Sequence, residues 1–190
     1  MTSPDAETHA GPPIARPFPP LPKIWIGYII GVVTLIAEMV VVSQHPEAAT
    51  GTPMIPPLYL FLPAFIGGVY WFVCVYQYHV VMNHIPGWRH PISPGKAVGY
   101  HFIPIYNLYW IFKWLQEIAR FVNAVLGRPA MRPGLAGGAI LVALVLRFLD
   151  PGMGMILLFL ATSHVSACLR PALEAFATAA AEHPGPPPFS

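Results

Sequence analysis

The sequence predicts an all-α, polytopic transmembrane helix bundle, with four spans and one amphipathic helix that is interfacial or re-entrant; five spans is the alternative. Three observations lead there. The chain is 55% hydrophobic and only 9% charged, whereas a soluble domain carries about a quarter charged residues. Its apolar residues gather into uninterrupted runs long enough to cross a hydrocarbon core of about 30 Å. Its Lys and Arg residues sort by side in one topology and not in the other.

Residues 1–22 read as an extended, proline-rich tail. They lack the basic lead and short apolar stretch of a cleavable signal. The first span is Ile24 to Ser43, interrupted by a single charge, Glu38. Gln44 to Pro57, rich in Pro, Gly and Thr, is a connecting loop. Leu58 to Met82, without a charge, is the second span, and its length admits tilt. Asn83 to Lys96 packs prolines and glycines into a polar turn region.

From 97 to 126 the pattern changes. Lys113, Gln116, Glu117, Arg120 and Asn123 fall on one helical face; Leu108, Ile111, Phe112, Leu115, Ile118 and Val122 fall on the other, so an amphipathic helix kinked at Pro104 is expected. Spans at about 134–149 and 153–169 follow, separated by the turn Asp150-Pro151-Gly152. The bundle therefore occupies 23–170. Residues 171–190 are read as a separate surface helix and a proline-rich tail, because Pro171 should end the preceding helix.

The charges decide between four and five spans. If 97–126 does not cross, Arg16, Lys23, Arg89, Lys96, Lys113, Arg120, Arg128, Arg132 and Arg170 share one side and only Arg147 faces the other. Cytoplasmic loops favour Lys and Arg, so this arrangement predicts a multi-pass protein of a bacterial inner membrane with both termini cytoplasmic. Five spans would nearly equalise the two sides.

Glu38 and Arg147 are the charges within the spans, where an isolated ion is costly, and they are expected to pair. Gly27 and Gly31 form a GxxxG, as do Gly134 and Gly138, a spacing that lets helices approach closely, first of all within the bundle. His79 and His164 lie at similar depth and are candidates to ligate haem b or a metal, although histidines bonded to carbonyls or hydroxyls are commoner. Cys74 and Cys168 read as packing residues. No HExxH, CxxC, phosphate loop or nucleophile elbow occurs.

The stretch Ile92 to Asn123 carries Pro94, Gly95, Phe102, Ile103, Pro104, Asn107, Tyr109, Trp110, Phe112 and Asn123. It resembles a PG…FIPxxNxYWxF signature of multi-pass bacterial membrane proteins of unknown function. The resemblance implies a bundle of four or five helices and brings no activity. Physically, Pro104 should free a backbone carbonyl, and an amide such as Asn107 can satisfy an orphan group.

The leading expectation is a non-enzymatic accessory or scaffold subunit, whose partners are the lipid bilayer and other membrane subunits or a second copy of itself, and no nucleic acid. No cofactor is predicted in that reading. One rival is a redox protein holding haem or a metal through His79 and His164. Another is a small oligomeric transporter or channel using Glu38 and the face of Lys113, Glu117 and Arg120, although no internal repeat supports it.

Overall fold

The computed structural model describes residues 18–44 and 58–182, with the side chains of 58–60 left out of the description. The tail with Arg16, the loop at 45–57 and the proline-rich end at 183–190 therefore lie outside the described residues. The described chain is all helical: α1 (Ile24–Gln44), α2 (Leu58–Asn83), α3 (Pro94–Gly99), a 3₁₀ turn (Tyr100–Phe102), α4 (Tyr106–Leu126), α5 (Pro133–Leu149) and α6 (Pro151–Glu182). Three helices, α1, α2 from Phe61 and α6, are long and apolar enough to cross a membrane. The apolar α5 has 17 residues, the lower limit for a span.

Glycines fix how these helices meet. A Cβ on Gly27 would strike the Phe159 ring, one on Gly31 would meet Ile156, and one on Gly152 would meet the backbone of Leu35. Helices α1 and α6 are thus antiparallel and in close contact. The Gly27–Gly31 pair serves this internal seam. Gly154 lies so near Arg147 that an added Cβ would sit 2.3 Å from its backbone nitrogen, which marks a second tight crossing, α5 on α6. Gly134 and Gly138 meet nothing within 4 Å. That second GxxxG faces outward.

Cross-bundle bonds set the register. The Tyr70 hydroxyl donates to the Lys23 carbonyl, and that of Tyr78 donates to the Thr162 carbonyl and lies 2.6 Å from Ser166 Oγ. Gly67 packs on Met155 and Gly68 on Arg147. Helix α2 therefore runs parallel to α6 and antiparallel to α1. At one end of the bundle lie Glu38, Arg147 and Asp150; at the other lie Lys23, the end of α2 and the start of α5, where Cys168 Sγ approaches the Ala130 carbonyl. The segment between α2 and α5 leaves and returns at the Lys23 end. It does not cross, and Lys23, Arg89, Arg128, Arg132 and Arg170 gather at that end opposite Arg147.

The amphipathic segment differs from the continuous kinked helix expected over 97–126. It is a helical hairpin. Ser93 caps α3 through its hydroxyl, with Pro94 in the first turn, where its missing N–H is harmless. After the 3₁₀ turn the chain breaks at Ile103-Pro104-Ile105 and restarts as α4, with Ile105 at a φ of 62°, a strained value for a β-branched residue. Phe102 packs on Phe72, so the first arm climbs back along α2. Helix α4 descends again, placing Trp114 near His79 and Phe121 on Phe176.

Pro104 thus stands in the break and kinks no helix. Leu108, expected on the buried face, is exposed beside the tip, while Ile111, Leu115, Ile118 and Val122 are buried as expected. Asn107 caps no neighbouring group, because its Oδ1 has no partner among the described residues. Asn83 and Asn123 do that work instead: Asn83 donates to the carbonyls of His79 and Ile92, and Asn123 exchanges two bonds with the backbone of Met131. Beyond α4, Gly127 takes the left-handed conformation that ends the helix.

The second departure is at Pro171. Helix α6 runs through it to Glu182 and makes no separate surface helix. A proline inside a helix costs about 3 kcal/mol. Here Ala172, Leu173 and Phe176 are buried, and Phe176 packs on Phe121 and Phe18, which offsets the lost bond and holds the helix together.

Candidate functional site

The charged residues within the spans do not pair. Glu38 accepts from the Gly152 N–H at 2.8 Å, and Arg147 donates to the Ala64 carbonyl at 2.6 Å. Gly152 lies in the first turn of α6, whose N–H groups have no intrahelical acceptor, so a side-chain oxygen there supplies the missing partner. Arg147 reaches across to α2 because Gly68 leaves room: a Cβ there would come within 2.7 Å of Nη2. Each charge answers a backbone group of another helix. Pairing with each other would have left the first-turn N–H of Gly152 unmet in a medium without water.

The two candidate haem ligands also take separate partners. His79, fully buried near the end of α2, has Nδ1 2.7 Å from Nε2 of His90. His164 is exposed on α6 next to Cys168 Sγ, at 3.7 Å from Nε2. Among the described residues no group of three or more His, Cys, Asp or Glu is placed to hold a metal. The observed pairing follows from the hairpin: residues 84–93 turn back on α2 and bring His90 beside His79, with Asn83 bonded to Ile92 as the clasp.

A buried histidine layer results. His101 donates from Nδ1 to the Ala97 carbonyl, shared with the Trp110 indole N–H, and its ring meets Trp71 and Phe72 edge-on. His79 Nε2, His90 Nδ1 and His101 Nε2 are buried with no hydrogen-bond partner among the described residues. Burial pushes His90 and His101, both outside the spans, from the ordinary 6.5 down to about 4. Both rings are neutral at pH 7. His84 stands apart, bonded to the Val80 carbonyl.

A groove of about 390 Å³ opens between the two arms of the hairpin. Glu117, only 2% exposed, sits at its floor with Lys113 Nζ at 2.9 Å and Arg120 Nη1 at 2.8 Å. Lys96 from the first arm completes the charged lining, and Pro91, Ile92, Tyr100 and Trp110 form the apolar wall. Two cations on one buried carboxylate explain why Glu117 departs from the solvent-facing side that the helical period assigns it. Glu117 raises the affinity of Lys113 for its proton. The lining carries three positive charges against one negative.

Lys113, Glu117 and Arg120 were legible as a polar face; Lys96, Tyr100 and Trp110 were missed as their companions. The signal was the Ser-Pro-Gly cap and the Pro104 break, which together announce two antiparallel arms. The fold and these sites define a polytopic helical membrane protein with a basic groove at one end. Compared with known proteins, the chain matches no family model, no curated protein and no solved structure.

Proposed function

We propose that this chain is a non-enzymatic membrane component, an accessory or scaffold subunit that packs against other membrane subunits or a second copy of itself. The observation that carries the reading is the engagement of Glu38 and Arg147. The charged side chains within the spans, which in a transporter or proton relay would face a pathway, here hold helix ends and backbone of their own fold. The outward surface is apolar: Trp25, Ile29, Val33, Ile36 and Met39 on α1 and Leu135, Val142 and Val145 on α5 are exposed. Such faces suit lipid and neighbouring helices alike.

The clustering of Lys and Arg at the Lys23 end supports placing that end in the cytoplasm of a bacterial cell, with the inner membrane as the site and both termini inside. The scaffold role is tested by cross-linking the tagged full chain in native membranes and extracting it in mild detergent. Recovery of the chain bound to a defined membrane partner or to itself is the expected outcome. A monodisperse monomer that cross-links to nothing would overturn it.

A further inference from the structure

We infer that the groove of the α3–α4 hairpin is a binding site for one anionic phospholipid, its phosphate held by Lys96 and Lys113, with Arg120 behind them. Depth comes first. The hairpin tip lies against Phe72, two residues beyond Tyr70, whose hydroxyl bonds the Lys23 carbonyl where α1 begins. The tip therefore reaches the edge of the apolar band, level with the exposed Trp25. Its own residues suit that place: Phe102, Ile103, Ile105 and Tyr109 are 67%, 47%, 86% and 57% exposed, a cluster that water would penalise and acyl chains accept.

The cations sit below the tip. Lys113 follows the start of α4 by seven residues, about 11 Å of helix, and Lys96 precedes Phe102 by six, a similar drop along the other arm. The headgroup region of each leaflet occupies about 5–8 Å outside the hydrocarbon core, a few ångströms short of these backbones, and the four-carbon Lys stems span the difference. A lipid whose chains lie along the tip thus brings its phosphate between Lys96 and Lys113.

Charge then selects the lipid. Glu117 neutralises one of the three cations, leaving an excess of two, so a phosphodiester without a compensating choline or ethanolamine is favoured over a zwitterion. Arg120 is 57% exposed and Glu117 engages its Nη1, which leaves further guanidinium donors on the outer side of the groove. Tyr100 and Trp110 supply the amphipathic wall usual at headgroup depth. The site is complete within one chain, and its occupancy does not depend on any scaffold partner.

Native mass spectrometry of the full chain in mild detergent tests this, with phosphatidylglycerol, phosphatidylcholine and inorganic phosphate as separate titrants. One phosphatidylglycerol should be retained at a concentration at least about tenfold below that needed for phosphatidylcholine, and millimolar phosphate should not displace it. Lys96→Gln should weaken that preference about fivefold, and Lys96→Gln with Arg120→Gln should nearly abolish it. Lys96 is exposed and caps its helix only through its backbone, so the single variant keeps the test valid even where the double variant fails to fold. Equal retention of both lipids, an undiminished preference in a folded Lys96→Gln protein, or displacement by free phosphate would each overturn the assignment.

Discussion

At the Asp150 end of the bundle, Glu38 and Arg147 each close on a backbone group of another helix, and the helices meet through Gly152 and Gly154 with no space left. At the Lys23 end, Lys96, Lys113 and Arg120 surround a single buried carboxylate and remain reachable from outside. The difference follows from the medium. Within hydrocarbon, an unanswered backbone group costs several kcal/mol and an unanswered charge more still, so charges and helix ends satisfy one another and the packing tightens around them. In an outward-facing groove solvent can answer charge, and a surplus of cations is tolerated.

This contrast is easiest to break at the tight end. Gly154→Ala places a methyl group 2.3 Å from the Arg147 backbone nitrogen, where no flexible side chain can give way. A destabilisation on the order of 3 kcal/mol is expected, read as a large fall in the thermal midpoint in detergent. Glu38→Ala comes next, since it strands the Gly152 N–H at the start of α6. A loss of about 1–3 kcal/mol is expected, with most of it restored in Glu38→Gln, whose amide oxygen still accepts.

The open end responds to pH. His90 and His101 are neutral in the fold down to about 4 but take a proton near the ordinary 6.5 once unfolded. The unfolded chain binds more protons throughout that window, so stability is complete above pH 6.5 and is lost as pH falls toward 4. Between pH 7 and 5 a loss of about 1–2 kcal/mol is expected, because His90 is only partly buried and its share is reduced. Denaturant titrations at the two pH values measure it, and His101→Gln should flatten the dependence.

The smallest effect belongs to the outward glycine pair. Gly138→Ala meets nothing within 4 Å and should change the stability of the isolated chain by less than about 1 kcal/mol, in the stabilising direction through helix propensity. The same substitution at two GxxxG pairs would thus give opposite results, since Gly31 is pressed against Ile156.

Much of this was legible in the sequence because its signals are local. Apolar runs set the positions of α1, α2, α5 and α6, Asp150-Pro151-Gly152 marked the tight turn between the last two, and the charge sorting matched the end at which the hairpin returns. What was not legible depends on tertiary partners. Glu38 and Arg147 have equal depth and opposite sign, which made a pair the natural expectation, yet helix termini contributed by the turn at Asp150 and the gap over Gly68 compete for both. His90 became the neighbour of His79 only through the chain reversal at residues 84–93. Pro171 looked like a stop because the burial of Leu173 and Phe176 lies outside its local sequence.

The central claim is that four helices cross and the hairpin between α2 and α5 enters and leaves on one side. It is tested most directly by single cysteines at residues 23, 128 and 150, placed in a background carrying Cys74→Ala and Cys168→Ser and probed with a membrane-impermeant maleimide on sealed vesicles of known orientation. Arg128→Cys should label from the same face as Lys23→Cys and from the face opposite Asp150→Cys. Labelling of position 128 from the face opposite Lys23→Cys, with position 150 on the Lys23 face, would contradict the account and restore five spans.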